Sequence, residues 1–181
     1  MIDTVMNDLI ISALLLDGPK YGYQIKRGAG WVLGQEALHN NLVYPMLRKF
    51  LDEGWVSKKA VPGERGQTRQ QYALTKEGRR RLFERLNQFG EIDAAPEGAF
   101  HLRVGLFAEL KPQSREGILT ARETYLRNRD QKLAVLQANV EMDRFPAEVV
   151  SHLRRQNEID REWIRHLRRM AKAEDRRRRD P

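Results

Sequence analysis

Apolar residues recur at helical spacing in short segments at the start of the chain. In residues 8–16 they lie three and four positions apart, as on the buried face of a helix, and Asp17-Gly18-Pro19 ends that pattern. Residues 21–30 repeat the spacing until two glycines interrupt it. The pattern therefore predicts two short helices, followed by a loop over residues 31–38.

A third predicted helix has a polar and basic outer face. Pro45 lacks a backbone N–H and is tolerated in a first turn, so we expect this helix to begin at residues 40–42. Gly54 follows its last apolar position as a C′ residue. The side chains predicted to be exposed are amides, a phenol and cations: Asn40, Asn41, Tyr44, Arg48 and Lys49.

A β-hairpin and a fourth helix are predicted next. Residues 55–61 and 69–74 have strand patterns, and a glycine-containing loop separates them. Thr75 is a good N-cap for the following helix, although Gly78 occupies the position where a capping box has Glu or Gln. Three helices, a hairpin and a helix make a winged helix-turn-helix, in which the third helix enters the major groove of DNA.

The second half of the chain is predicted to be helical. Glycine, alanine and proline over residues 87–98 indicate a junction, and residues 99–110 are apolar on most sides, which predicts a helix that packs against two neighbours. We therefore expect a mainly α fold with a small β-hairpin wing, in three parts. These are a DNA-binding domain over residues 1–90, a helical dimerisation and effector region over 91–175, and a disordered basic tail over 176–181.

Two long helices are predicted beyond the junction. Residues 114–143 lack proline, and four apolar residues there recur every seven positions: Leu119, Leu126, Leu133 and Val140. Arg122 and Arg129 occupy the intervening heptad positions, which favours packing within a helical bundle over a two-stranded coiled coil. Pro146 suits the first turn of a last helix.

The charge of the chain agrees with a nucleic-acid partner without requiring one. Its 181 residues carry a formal net charge of +8, which attracts phosphate backbones, acidic proteins and anionic membranes alike. Arginines outnumber lysines by 24 to 9, and arginine can donate two hydrogen bonds to one phosphate or guanine edge. The absence of cysteine excludes disulfides, thiolate metal sites and thiol nucleophiles. No apolar run reaches the length of a membrane span and no basic leader is present, so a cytoplasmic protein without a membrane role is expected.

Candidate DNA contacts lie on the third helix and on the wing. The donors of the helix suit phosphate oxygens and base edges, and the wing repeats that chemistry. The candidate wing residues are Lys58, Arg65, Gln67 and Arg69. The run of arginines at 176–179 is interpreted first as a solvated tail, then as a non-specific DNA contact, and last as a membrane-surface segment.

Other functional sites have weaker support in the sequence. Trp163 on the last predicted helix is a candidate contact for a small aromatic effector, although large aromatic residues usually fill cores. The four histidines are scattered, and no metal-ligand spacing, phosphate-binding glycine loop or nucleophile motif is present. The sequence therefore predicts neither a metal nor a cofactor, and no enzymatic activity.

Three segments together resemble the PadR family of bacterial regulators. They are LLLDGPKYGYQIKR, LVYPMLRKFLDEGWV and RQQYALTKEGRRRL, in that order, and the similarity covers residues 7–87. The resemblance implies a winged-helix dimer that binds operator DNA, usually as a repressor, and is released by a small molecule or a partner signal. It also implies that Tyr44 approaches the DNA backbone.

Two positions depart from the family pattern. Tyr21 stands where the family commonly has histidine, and Asn41-Leu42 stands where it has a small residue followed by a hydroxyl residue. Leu42 cannot donate to a phosphate, but it can contact a thymine methyl group.

These features predict a homodimeric regulator of transcription. Dimerisation through the C-terminal helices would present two recognition helices to successive major grooves of a pseudo-palindromic operator, and occupancy would block polymerase. The alternative is an architectural or protein-interaction winged-helix protein that binds DNA without sequence preference.

Overall fold

The computed structural model describes residues 4–33, 40–62 and 67–177, with the side chains of residues 6–29, 43–62 and 67–177. The chain divides into two compact units, Met1–Gln88 and Phe89–Pro181. The first contains the described strands, which form one antiparallel sheet in the order β1-β3-β2, and the second is helical throughout its described elements. This mainly α architecture with one small sheet confirms the predicted fold class.

The elements of the first unit follow the order of a winged helix. They are α1 (Thr4–Leu14), β1 (Lys20–Tyr21), α2 (Gly22–Leu33), α3 (Asn40–Asp52), β2 (Val56–Pro62), β3 (Thr68–Leu74) and α4 (Lys76–Asn87). Their apolar faces meet in one core. The least exposed side chains of that core include Ile11, Ile25, Val43, Phe50 and Leu86.

The structure corrects three details of the predicted first unit. Helix α2 extends to Leu33, beyond the predicted end at residue 30. Strand β1 was not predicted, because two residues are too short to show an alternating pattern; Lys20 pairs with Tyr72 of β3. Pro45 lies inside α3 and not in its first turn, so one carbonyl of the preceding turn lacks its helical N–H partner.

Glycines allow the tight corner between α3, the wing and α4. Gly54 adopts φ of 72°, a left-handed conformation that a residue with a Cβ adopts at a cost. Thr75 caps α4 as predicted, because its Oγ1 accepts from the Gly78 N–H at 3.0 Å and also donates to the Gly54 carbonyl at 2.7 Å. A Cβ on Gly78 would lie 2.0 Å from the Trp55 carbonyl oxygen, which explains why no larger residue completes a capping box there.

The second unit consists of two short helices and a long helical hairpin. Its elements are α5 (Glu91–Ala94), α6 (Glu97–Gly105), a 3₁₀ turn (Phe107–Glu109), α7 (Pro112–Asn139) and α8 (Arg144–Arg177). The predicted helix over residues 99–110 is therefore interrupted at Leu106, where α6 ends and the 3₁₀ turn begins. Pro146 lies in the first turn of α8, as predicted.

Helices α7 and α8 pack through both apolar and charged residues. Leu119 and Leu126 are fully buried, whereas Val140 lies beyond the end of α7 and is half exposed. Arg122 is only 2% exposed, although heptad spacing alone placed it among the charged positions that interrupt the seam. Its Nη2 donates to Asp160 of α8 at 3.0 Å, and its Nη1 donates to the Ala94 carbonyl at 2.6 Å. The arginine is thus part of the interior of the unit, in agreement with bundle packing.

Candidate nucleic-acid interface

Helix α3 separates an apolar face from a polar one. Val43, Leu47 and Phe50 are at most 1% exposed and anchor the helix in the core of the first unit. Tyr44 is 41% exposed and Arg48 is also exposed, on the side that the core leaves open. Among the residues that the structure describes, Arg48 forms no ion pair. Its guanidinium is therefore available to a phosphate or a base edge.

Tyr44 lies against the first residue of α2. A Cβ built on Gly22 would approach Cε1 of Tyr44 to 2.8 Å, so only glycine allows the ring this position. The contact brings the exposed flank of α3 next to the first turn of α2. Helix N-termini carry unpaired N–H groups and a partial positive charge, which suits a DNA phosphate.

A cavity of about 470 Å³ opens beside Tyr44. Phenols dominate its lining, and an amide and a guanidinium complete it: Tyr21, Gly22, Tyr23, Tyr44, Arg69, Gln70 and Tyr72. Burial, and secondarily the neighbouring Tyr44, raises the pKa of Tyr72 above its ordinary value. A phenol is protonated at neutral pH even at its ordinary pKa, so the Tyr72 hydroxyl can donate a hydrogen bond. The cavity thus combines hydrogen-bond donors with one permanent cation.

Lys49 is directed away from the exposed face of α3. Its Nζ lies 3.2 Å from Oδ2 of Asp8, a buried residue of α1. The side chain of Lys49 is 41% exposed, so the pair sits at the edge of the core. The structure thus separates Lys49 from Tyr44, with which the sequence had grouped it, whereas Arg48 and Lys49 line one shallow depression.

Two of the candidate wing residues are described cations of the strands. Lys58 of β2 is paired with Tyr72, and Arg69 of β3 is paired with Val61. Gln67 is exposed immediately before β3. Of these residues, Arg69 contributes to the cavity beside Tyr44.

Several predicted sites fall outside the described residues. The side chains of Asn40, Asn41 and Leu42 do so, although their backbone forms the start of α3. Arg65 of the wing loop lies outside them entirely. Helix α8 includes Arg176 and Arg177, so the predicted tail is helical at its start, while residues 178–181 lie outside the described part.

Trp163 belongs to an aromatic cluster within the second unit. Its ring lies edge-on to Phe100, with centroids 5.6 Å apart, and near His101 at 5.4 Å. Phe89 and Arg122 also contact Phe100. Such edge contacts fill space between helices. A role for Trp163 in binding an effector stays a prediction.

The cavity includes residues that the sequence did not single out for binding. Gln70 and Tyr72 belong to β3, and Tyr23 belongs to the first turn of α2, about fifty residues earlier in the chain. The tripeptide Tyr21-Gly22-Tyr23 was the available signal, since aromatic residues around a glycine suit close contact with a ligand. The pairing of β1 with β3 brings these segments together.

The order of helices, together with a hairpin wing next to an exposed α3, defines the first unit as a DNA-binding winged helix-turn-helix. Residues 10–84 match the transcriptional regulator PadR-like family. The resemblance found in the sequence is thereby confirmed over these residues, which are similar to the family and make up less than half of the chain. The family consists of regulators of transcription.

Three solved structures are among those similar to the chain. Bacillus subtilis PadR in complex with operator DNA is 20% identical, with 91% of this chain and 98% of that chain covered and a TM-score of 0.45. The same protein in complex with p-coumaric acid is 20% identical over 92% and 99%, with a TM-score of 0.39. RosR of H. salinarum is 26% identical over 47% and 71%, with a TM-score of 0.38. No curated protein sequence matches the chain significantly. Of the described helices, none is long and apolar enough to cross a membrane.

Proposed function

We propose that the chain is a transcriptional repressor that binds a pseudo-palindromic operator as a homodimer. The observation that carries this proposal is the exposed flank of α3, where Tyr44 and Arg48 lie beside a cavity that contains Arg69 and several phenols. A recognition helix needs base-contacting side chains on its outer face and phosphate-binding groups beside it to fix its register. Both are present on one side of the first unit.

In this proposal the cavity binds the DNA backbone and α3 contacts the bases. Tyr44, Tyr72 and Arg69 donate to phosphate oxygens, and the first turn of α2 adds its backbone N–H groups. Arg48 and the amides Asn40 and Asn41 contact base edges or adjacent phosphates. Lys58, Arg65 and Gln67 of the wing contact the backbone or the minor groove next to it.

The second unit supplies dimerisation in this proposal. Several apolar residues near the turn between α7 and α8 are exposed in the single chain: Val135, Leu136, Val140, Phe145 and Val149. An exposed apolar patch of this kind is suited to contact with another protein surface. A second copy bound there would join two winged helices in one dimer. A small aromatic molecule or a partner protein can bind more tightly to a dimer in which the spacing between the two winged helices is altered. Such an effector would lower operator affinity, and the size of the decrease is set by the difference between its affinities for the altered and the DNA-binding dimer.

Selection of DNA from a random pool tests the central claim. The purified full chain should enrich a pseudo-palindrome with half-sites about one or two helical turns apart. Sedimentation should give a dimer at micromolar concentration. Near-equal affinity for selected and random duplexes would contradict the proposal and favour the architectural alternative.

Substitutions of exposed residues then test the assignment of the interface. Arg48→Met should weaken binding of the selected duplex about tenfold or more, because a charge-assisted contact to DNA is lost. Tyr44→Phe should weaken it less, since one neutral donor is removed. Arg155 of α8 has an exposed guanidinium 2.7 Å from Glu148, and Arg155→Met is the control for the loss of one exposed positive charge outside α3. Equal decreases in DNA affinity for Arg48→Met and Arg155→Met would contradict the assignment of α3 to the DNA interface.

A further inference from the structure

Asp8 of α1 binds two cations from distant parts of the first unit. Its Oδ2 accepts from Lys49 of α3 at 3.2 Å and from Arg85 of α4 at 2.6 Å. The Asp8 side chain is 3% exposed. A carboxylate this deeply buried is stable only if cations or other donors compensate its lost hydration. The pair with Lys49 is therefore a structural contact of the folded unit.

The indole of Trp55 binds the same two cations. Lys49 Nζ lies 5.8 Å from the centroid of the Trp55 ring, and Arg85 Cζ lies 5.0 Å from it. Cations over an aromatic face are attracted by its quadrupole. Lys49 thus has an anionic partner and an aromatic partner at once, and both are at least partly buried.

The position of Lys49 on α3 agrees with these partners. Each helical residue advances by about 100°, so Lys49 lies about 140° around the helix from Tyr44 and about 100° from Arg48. Tyr44 faces the cavity formed with α2 and the wing, whereas Lys49 faces α1 and α4. The two flanks of the recognition helix therefore have different neighbours.

We propose that Asp8 is a positioning residue that withholds Lys49 from DNA. This inference rests on the proposed function and sharpens it. Because a lysine adds mainly sequence-independent attraction to phosphate, its capture by Asp8 lowers non-specific affinity while Arg48 and Tyr44 remain available. Asp8 also connects α1 and α4 to α3, and so it fixes the orientation of the recognition helix in the unit.

The salt dependence of DNA affinity tests this role. The logarithm of the binding constant falls with the logarithm of salt concentration, with a slope of about 0.9 per neutralised phosphate. Fluorescence anisotropy with one random duplex and one selected duplex would give that slope for the wild-type chain and four variants: Lys49→Met, Asp8→Asn, Asp8→Asn/Lys49→Met and Arg48→Met.

The variants have distinct expected results. Lys49→Met should leave the slope unchanged, because Arg85 still neutralises Asp8 and no phosphate contact is lost. Asp8→Asn should release Lys49 and steepen the slope by about 0.9, and adding Lys49→Met should reverse that change. Arg48→Met, one residue away, should make the slope shallower by about 0.9. A shallower slope for Lys49→Met would overturn the inference.

A measurement without DNA separates this inference from the proposed function. Acylation of lysines in the full chain, followed by mass spectrometry, should show slower reaction at Lys49 than at the exposed Lys58. Asp8→Asn should raise the Lys49 rate to that of Lys58, and circular dichroism confirms that the variant is folded. Equal rates at both lysines in the wild-type chain would contradict the capture of Lys49, even if DNA binding is confirmed. Slow acylation of Lys49 in a chain that is found to bind no DNA would instead contradict the proposed function and leave the contact between Asp8 and Lys49 confirmed.

Discussion

The two units of the chain bury different chemistry. The interior of the first unit is almost entirely apolar, and Asp8 is its one buried charged residue among those described. The second unit buries the side chains of Arg103, Arg115 and Arg122 to 2% exposure or less. A compact set of short helices can exclude charge from its core, whereas a long two-helix hairpin has little interior that lies far from solvent.

Buried arginines give the second unit a defined helix register. Arg115 donates to Asp175 at 3.1 Å and Arg122 to Asp160 at 3.0 Å, so each links α7 to a particular turn of α8. Burial lowers the pKa of Arg103 below its ordinary value, although Asp93 partly offsets the shift. Apolar seams alone allow neighbouring registers of similar energy, and specific polar pairs discriminate between them at a cost in stability. We therefore expect buried polar pairs to select the packing of the helices in the second unit, and the fit of apolar side chains to select it in the first.

The largest expected effect comes from breaking one of these pairs. Arg122→Met should destabilise the second unit by about 3 kcal/mol, because Asp160 and the Ala94 carbonyl lose their donor. The double variant Arg122→Met/Asp160→Leu should recover part of that loss, because it removes the unpaired carboxylate but leaves the Ala94 carbonyl without its donor. Hydrogen exchange of the α7 amides at increasing denaturant concentration measures the stability change in the single and in the double variant. A double variant as unstable as the single one would show that the unpaired Asp160 carboxylate is not the source of the loss.

A smaller change in stability is expected when alanine replaces one glycine of each unit, because the space around the two glycines differs. Gly78→Ala should destabilise the first unit by about 2 kcal/mol, because its Cβ would overlap the Trp55 carbonyl. Gly117→Ala in α7 is the matched control, as its Cβ would meet nothing within 4 Å. This control should stabilise the second unit by about 1 kcal/mol through helix propensity. Changes of the same sign at both sites in chemical denaturation would contradict the close contact at Gly78.

The smallest effect is expected from exposed ion pairs on α4. Hydrogen bonds from Arg80, and secondarily from Arg81, lower the pKa of Glu77 to about 2 from its ordinary value of 4.5. A lowered pKa stabilises the folded state above pH 4.5, and this contribution is lost as the pH falls towards 2. Glu77→Gln should therefore lower the melting temperature slightly at pH 7, and the difference should vanish by about pH 2. A pH-independent difference would point to another cause.

The sequence predicted the features that depend on local pattern. Helix α3, the wing and the Thr75 cap follow from apolar spacing and from residue preferences within a few positions. Asp8 and Lys49 are 41 residues apart, so their pairing has no local signal. The heptad pattern placed Arg122 among the charged residues that interrupt the apolar seam. Its carbonyl partners are Ala94, at the end of α5, and Ala95, the C-cap of that helix, and the heptad pattern of α7 contains no information about them. The long-range contacts therefore required the structure.

The position of β2 has a consequence for the behaviour of the chain in solution. In the described sheet β2 lies at one edge, paired only with β3. An edge strand exposes unpaired backbone groups that can join the strand of another molecule and start aggregation. Two adjacent lysines, Lys58 and Lys59, lie in the middle of this strand, where their like charges would face those of a second copy. The charges of the wing edge thereby oppose its pairing with the same strand of another copy.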